Sequence, residues 1–437
     1  MKPRPIALLA VVAIVASACS SAASTPSSAA GTSAPGGASA PAGNTTVTLG
    51  VDLPLSGAET PNGQPTLNGI QLAVDENPVP GYTVKVVAKD DALNGVHDPQ
   101  TGATNIGQLV NDSSVFGVVG PFNSNVAQAE IPVSNAAGLL QCSPANTNPG
   151  LTKGAAGLQL RSTHPDQIAY VRVATTDDIQ GQAGADIAYN VVGARSAYIV
   201  DDTETYGKGL ADQFETTFKA LGGTIVGHDG VGKSGQSDFT ALLTAAKAKN
   251  PQFVYFGGVT ATGGGLLRKQ MAQLGMANIP FGGGDGISDG SAATANSFLN
   301  VAGPAGDPNT YMTVAAVSLI PDKAKFDADY KAKYGSEAGA YSASGYACTQ
   351  ILLQALKAVG PDRAKVRAYV TAQNPAPTFN TVLGNITFDA NGDTSQHIIS
   401  DYKFDPTTKD WAFFEQKDFT SGVTTTAPPA AAAPSAS

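Results

Sequence analysis

Two periodicities alternate along the chain. Residues 46–53, T-V-T-L-G-V-D-L, are apolar at every second position, which gives one face of a β-strand to a core. Residues 69–76, G-I-Q-L-A-V-D-E, instead offer Ile70, Leu72, Ala73 and Val74 as the buried face of a helix. A strand follows at 82–88, ending in Asp90-Asp91, and then a helix at 99–111. Short apolar runs at 115–119 and 138–142 flank an amphipathic segment, the arrangement of consecutive parallel strands in a βαβ unit. After Leu151 a fresh set begins, with strands at 194–200, 223–226, 253–257 and 279–282 and helices at 209–221, 238–250 and 264–274. This alternation predicts an α/β protein with doubly wound parallel sheets. Two sets of similar size predict two lobes facing one another, with a ligand enclosed between them when a hinge closes.

Chemistry concentrates at residues 116–152. Asn123, Ser124 and Asn125 follow one apolar run, and Ser143, Asn146 and Thr147 follow the next, each set where a helix or turn would begin with free N–H groups. Adjacent strand ends that carry hydroxyls, amides and backbone donors make a cradle for a small carboxylate, and ligands of open α/β sheets bind at the carboxyl ends of strands. The residues therefore point to a receptor for a small anionic or zwitterionic molecule. Capping alone would also explain Ser124 and Thr147.

Composition narrows the partners. The 437 residues, 42% of them hydrophobic, suffice for two or three domains. A formal charge of −9 argues against a nucleic-acid partner, which calls for a basic footprint. Lys2 and Arg4, an apolar run at 6–15 and Ala16-Ser17-Ala18 before Cys19 form an export signal over residues 1–19, too short to span a bilayer. The small-residue triplet before Cys19 resembles the bacterial lipobox, with Ala16 where that motif most often has Leu; plain secretory cleavage is the alternative. Residues 20–45, rich in Ser, Ala, Pro and Gly, read as a flexible tether, and 419–437 as a disordered tail. Cys142 and Cys348 are the remaining cysteines, either bridged after export or two buried thiols.

A resemblance gathers these signals. L-P-L-S-G (53–57), Asp90-Asp91, G-V-V-G-P-F-N-S-N, S-P-A-N-T-N-P-G-L-T, D-D-I-Q-G-Q (177–182), V-D-D-T-E-T-Y-G-K-G-L-A (200–211), D-F-T-A-L-L (238–243), Y-F-G-G (255–258), G-G-D-G (283–286) and T-V-L-G-N-I-T-F-D-A-N-G-D (381–393) occur in order across residues 46–418. In this the chain is similar to the type I periplasmic-binding-protein superfamily, and within it to substrate-binding lipoproteins of branched-chain amino acid ABC transporters. The resemblance implies two Rossmann-like lobes with parallel sheets joined by a three-strand hinge. Lobe one would comprise 46–164 with 320–378, and lobe two 165–319 with 379–418. It implies a monomer anchored through lipidated Cys19 to the outer face of the cytoplasmic membrane, an amino-acid-like ligand, a permease partner, no cofactor and no catalysis. A ligand sensor of the same fold, signalling to a membrane partner, is the alternative.

Carried over by motif, Ser124 and Thr147 match hydroxyls that hold the ligand, and the backbone at Ala145 an adjacent contact. Asn125 and Asn146 flank these positions. Tyr206 matches an aromatic of lobe two, and Asp285 the acid that pairs with an ammonium. Asn62, Asn123 and Val259-Thr260 depart from the apolar and aromatic groups common at their positions, which implies a pocket more polar on one side and less aromatic on the other.

Other patterns point elsewhere. Residues 227–234, G-H-D-G-V-G-K-S, fit the Walker A spacing, yet Gly235 follows and the next helix is expected to start at Ser237 or Asp238, so no helix N-terminus would wrap a phosphate at Lys233-Ser234. His97, His164, His228 and His397 lack metal-ligand spacing. Asp90-Asp91, Asp177-Asp178 and Asp201-Asp202 are explained by capping, and no nucleophile elbow appears.

Overall fold

The structure, a computed structural model, describes residues 44–231 and 236–427. The export signal, Cys19, the tether up to residue 43, Lys233-Ser234 of the Walker-like stretch and the last ten residues of the expected tail lie outside the described residues. Two sheets carry the architecture. In the first, β1 (Thr45–Leu53), β2 (Tyr82–Asp90), β3 (Val115–Val119), β4 (Gln141–Ser143) and β5 (Tyr170–Arg172) run parallel in the order β2-β1-β3-β4-β5. In the second, β6 (Ser196–Asp201), β7 (Thr224–Gly230), β8 (Phe253–Gly257), β9 (Phe281–Gly283) and β10 (Thr310–Val314) run parallel in the order β7-β6-β8-β9-β10. Beside β10 the antiparallel β11 (Ile398–Asp405), β12 (Asp410–Asp418) and β13 (Val423–Thr426) complete it. Strand order reverses at β1/β3 and at β6/β8, so each sheet opens a crevice at its carboxyl edge.

The chain crosses between the sheets three times, near residues 173–176, 315–320 and 394–397, and the crossings touch. Thr175 donates its N–H to Ala315 O (3.2 Å) and its hydroxyl to Ile398 O (2.9 Å). The outer crossings differ from the boundaries expected above. β5 pairs with β4, so residues up to 172 stand with the first sheet and not with the second. The hairpin of Phe379–Thr381 and Gly384–Ile386 also stays there, with Phe379 edge-on to Tyr369. Arg172 explains both shifts. Fully buried, it donates Nε to Asp393 Oδ1 (2.8 Å) and Nη1 to Asn148 O (2.7 Å), holding the returning chain against β5 until residue 393.

Three local departures have physical causes. The first helix, α1 (Thr60–Glu76), starts nine residues before the expected one, through Gly63 and Pro65. Pro61 sits in its first turn, where a missing N–H costs little, and Gly63 lets the helix close on the Pro54 carbonyl, 1.9 Å from where a Cβ would stand. Residues 423–426 are a strand where a disordered tail is expected, because Gly422 at φ +74° turns the chain and β-branched V-T-T-T suits the sheet edge. Gly227 to Gly230 lie within β7, which removes the loop that the Walker pattern requires. Cys142 and Cys348 are bridged, tying β4 to the helix Ser342–Val359.

Candidate functional site

Strand-end loops of both sheets converge on one narrow cavity between them, lined by His97, Phe122, Asn123, Ser124, Asn125, Ala145 and Thr147 on one side and by Asp202, Glu204, Tyr206, Val259, Asp285 and Gly286 on the other. At about 20 Å3 it has room for little more than a water molecule, so a ligand of amino-acid size enters only when the lobes part. Eight of the ten expected binding residues line it.

The first-sheet side is built for negative charge. Helix α3 (Ser124–Ala137), which follows α2 (Pro99–Asn111), opens directly into the cavity. Its N-cap, Asn123, makes no side-chain cap, and with the Val126 N–H taken by Asn125 Oδ1 it is the Ser124 and Asn125 N–H groups and the positive end of the helix dipole that can meet an anion. Ser124 does not cap α3 either; its hydroxyl only receives a long contact from Asn148 N–H (3.5 Å). Thr147 Oγ1 is buried without a partner. The Ala145 N–H is engaged by Ser143 Oγ (3.3 Å), which leaves this residue its carbonyl to offer.

The second-sheet side is built for positive charge. Asp285 is buried, and its Oδ1 accepts from Gln180 Nε2 (2.5 Å) and from the Tyr206 hydroxyl (3.2 Å). The same hydroxyl accepts from Gly286 N–H (3.1 Å). Burial pushes the Asp285 carboxyl up despite the hydrogen bonds from Gln180 and Tyr206. Asp177, at the start of α4 (Asp177–Asp186), is buried with neither carboxylate oxygen paired; burial and the charge of Asp285 push it well above the usual carboxylate range. Gln180 Oε1, Tyr255 Oη and Tyr341 Oη are likewise unpaired. Each such orphan costs about 1–3 kcal/mol; these four residues stand behind the lining, where Gln180 is bonded to Asp285 and the Asp285 charge reaches Asp177, Tyr255 and Tyr341.

Between these sides runs a network that no spacing in the chain announces. His97 joins Glu59 through Nδ1 and Glu204 Oε2 through Nε2 (2.7 Å), while Asn125 Nδ2 donates to the same Glu204 oxygen (2.7 Å) and Asn123 Nδ2 to Glu59 Oε2 (3.1 Å). Glu204 is the N-cap residue of α5 (Thr205–Ala220), so the network links the two lobes. Burial pulls His97 down, but the two carboxylates outweigh it and hold the imidazole well above its ordinary value. Burial would raise Glu59, yet the charge of His97 and its hydrogen bonds bring it below the usual range. Asp202, deeper and burdened by desolvation and the charge of Glu204, is pushed up to about 7.

Two expected site residues fall elsewhere. Asn146 turns away from the cavity: its Nδ2 donates to Phe122 O (2.6 Å) and its Oδ1 accepts from the Tyr170 hydroxyl (2.7 Å), locking the two strand-end loops together. Asn62 lies in the early start of α1, which rotates it off the lining, while Glu59 just before the helix turns inward. The paired acids are not all caps either, since Asp177 is unpaired. Among the described residues no group of histidines, cysteines and acids has metal-binding geometry, and no helix is long and apolar enough to cross a membrane.

Comparison with known proteins agrees with this geometry. The family model described as periplasmic binding protein matches residues 46–404. The chain is 32% identical over 366 residues to the Leu/Ile/Val-binding protein BraC3 of Rhizobium johnstonii, covering 82% of this chain and 92% of that one. Among solved structures it is similar to the leucine-binding protein LivK of Thermotoga maritima (TM-score 0.71, 28% identity, 86% of this chain and 99% of that one). It is also similar to the branched-chain amino acid transporter substrate-binding protein LivJ of Streptococcus pneumoniae in complex with isoleucine (TM-score 0.69, 26% identity, 82% and 96%).

Proposed function

Because the chain belongs to the periplasmic binding protein family, an extracytoplasmic binding family, we propose that it is the substrate-binding protein of an ABC importer, taking an amino acid or a closely related small zwitterion between two closing lobes. The observation that carries this reading is the opposed chemistry of the cavity: the start of α3 with Ser124 and Thr147 on one lobe, and the buried Asp285, backed by the unpaired Asp177, on the other. The first suits a carboxylate and the second an ammonium, and the distance between them is closed only when the lobes meet. Lobe closure is the motion about the three crossings at Thr175, and the closed form is the one a permease on the membrane would receive. In this reading Cys19 carries the lipid, residues 20–43 join it to the first lobe, and the protein works as a monomer at the outer face of the cytoplasmic membrane.

The test separates the two charges. Calorimetry of the mature protein with an L-α-amino acid, its decarboxylated amine and its deaminated acid should show binding of the zwitterion, with both single-ended analogues at least 100-fold weaker. Equal affinity for the amine or the acid would remove the two-ended grip.

A further inference from the structure

Beyond the carboxylate and ammonium contacts, the cavity has a third direction, bounded by Phe122, Asn123, His97, Glu204 and Val259. Its polar groups can be inventoried. Both His97 nitrogens face carboxylates, so both are donors already consumed. Asn125 is consumed as well, its Nδ2 on Glu204 and its Oδ1 accepting from Val126 N–H (2.9 Å). Asn123 is different. Its amide nitrogen must face Glu59, because a carboxylate accepts and does not donate, and this settles which end of the amide is which. The Oδ1 left over is buried without a donor on a residue only 7% exposed. The second oxygen of Glu204 is a further acceptor on the same wall, since its hydrogen bonds from His97 and Asn125 both go to Oε2. What remains unspent at this end is therefore acceptor capacity, next to carboxylates that outnumber the one imidazolium.

Resting on the amino-acid reading above, we propose that Asn123 makes this pocket select ligands whose side chain ends in an N–H or O–H donor, such as an amide, hydroxyl or ammonium, over the branched aliphatic side chains named for its relatives. An aliphatic side chain would leave Asn123 Oδ1 buried and unpaired on closure, and a carboxylate side chain would bring no donor to it and would stand against Glu204. Phe122 and Val259, 7% and 8% exposed, supply the apolar wall along which the side-chain stem lies. A site built to hydrogen-bond a ligand group rejects the analogue that lacks it far better than an apolar slot rejects a missing methylene.

The experiment is a calorimetric panel on the full mature chain that uses near-isosteric pairs: L-threonine against L-valine, L-asparagine against L-leucine, and L-asparagine against L-aspartate. The donor-bearing member of each pair should bind at least tenfold tighter, and Asn123→Leu should erase the asparagine-over-leucine preference. Tighter binding of valine and leucine than of threonine and asparagine by the wild-type protein overturns this selectivity and leaves the amino-acid reading standing. Failure of every α-amino acid to bind overturns both. The wild-type panel decides the matter even where the variant folds poorly.

Discussion

At one end of the cleft Glu59, His97, Asn125 and one oxygen of Glu204 hydrogen-bond one another across the lobes; at the other, Thr147, Asp177, Gln180, Tyr255 and Tyr341 keep polar atoms without a hydrogen-bond partner. Both ends are buried and acidic, so burial alone does not distinguish them. The difference is a single cation. Glu59, bonded directly to His97, is held below its ordinary range; Asp177 and Asp285, with no cation bonded to them, are pushed above theirs. The first end is closed by the protein itself apart from Asn123 Oδ1 and the second Glu204 oxygen, and it docks the lobes. The second is left for a ligand to finish.

The largest effect should come from breaking the finished end. His97→Ala strands Glu59 in the interior, and losing one partner of a buried pair costs about 3–5 kcal/mol; a urea melt showing less than about 1 kcal/mol would erase the contrast. The sign with pH follows from the raised folded value of His97. The stability it contributes is fully present below the unfolded histidine pKa and disappears as pH climbs through the folded value, so the wild-type protein should lose stability on that alkaline limb and His97→Ala should lack the loss.

Asp285→Ala attacks the unfinished end and should do the opposite: affinity falls by about 3 kcal/mol, near 100-fold, because a buried ammonium loses its carboxylate. The melting point of the ligand-free protein should stay within a few degrees of wild type. A variant that melts early but binds normally would invert the assignment of roles. The smallest effect is the pH dependence of affinity. An ammonium arriving beside Asp177 and Asp285 draws their raised pKa values down, so binding releases protons, and affinity should rise with pH as these carboxyls ionise above the ordinary carboxylate range. Calorimetry in buffers of different ionisation enthalpy measures that release; zero release would mean the acids are already charged.

The sheets, their order of appearance and the placement of Ser124 and Thr147 at strand ends were legible in the chain, because strand ends in α/β folds announce themselves by apolar runs that stop at small polar residues, whereas Tyr206 and Asp285 were indicated by the family resemblance alone. Asn146 shows the limit of that signal. It sits beside Thr147 with the same chemistry, and only the arrival of Tyr170, 24 residues on, turns it to a supporting role. Glu59 and His97 were illegible for the same reason in reverse: their partners are 38 and 107 residues away, and a lone Glu in a loop or a lone His before a helix carries no periodic mark. Asn62 was misplaced because Gly63 and Pro65 read as helix breakers, whereas in α1 one permits close packing and the other is absorbed near the N-terminus.

The bridge from Cys142 to Cys348 spans 206 positions of sequence, and β6 through β10 are all threaded inside that span. The parallel part of the second sheet is thus a closed excursion whose exit and return are stapled together at its base, and β11 to β13 join it from outside the staple. A single protease nick anywhere within it would leave two pieces that still migrate as one band until a reductant is added, which makes the excursion a natural place to open the chain or to insert a reporter domain.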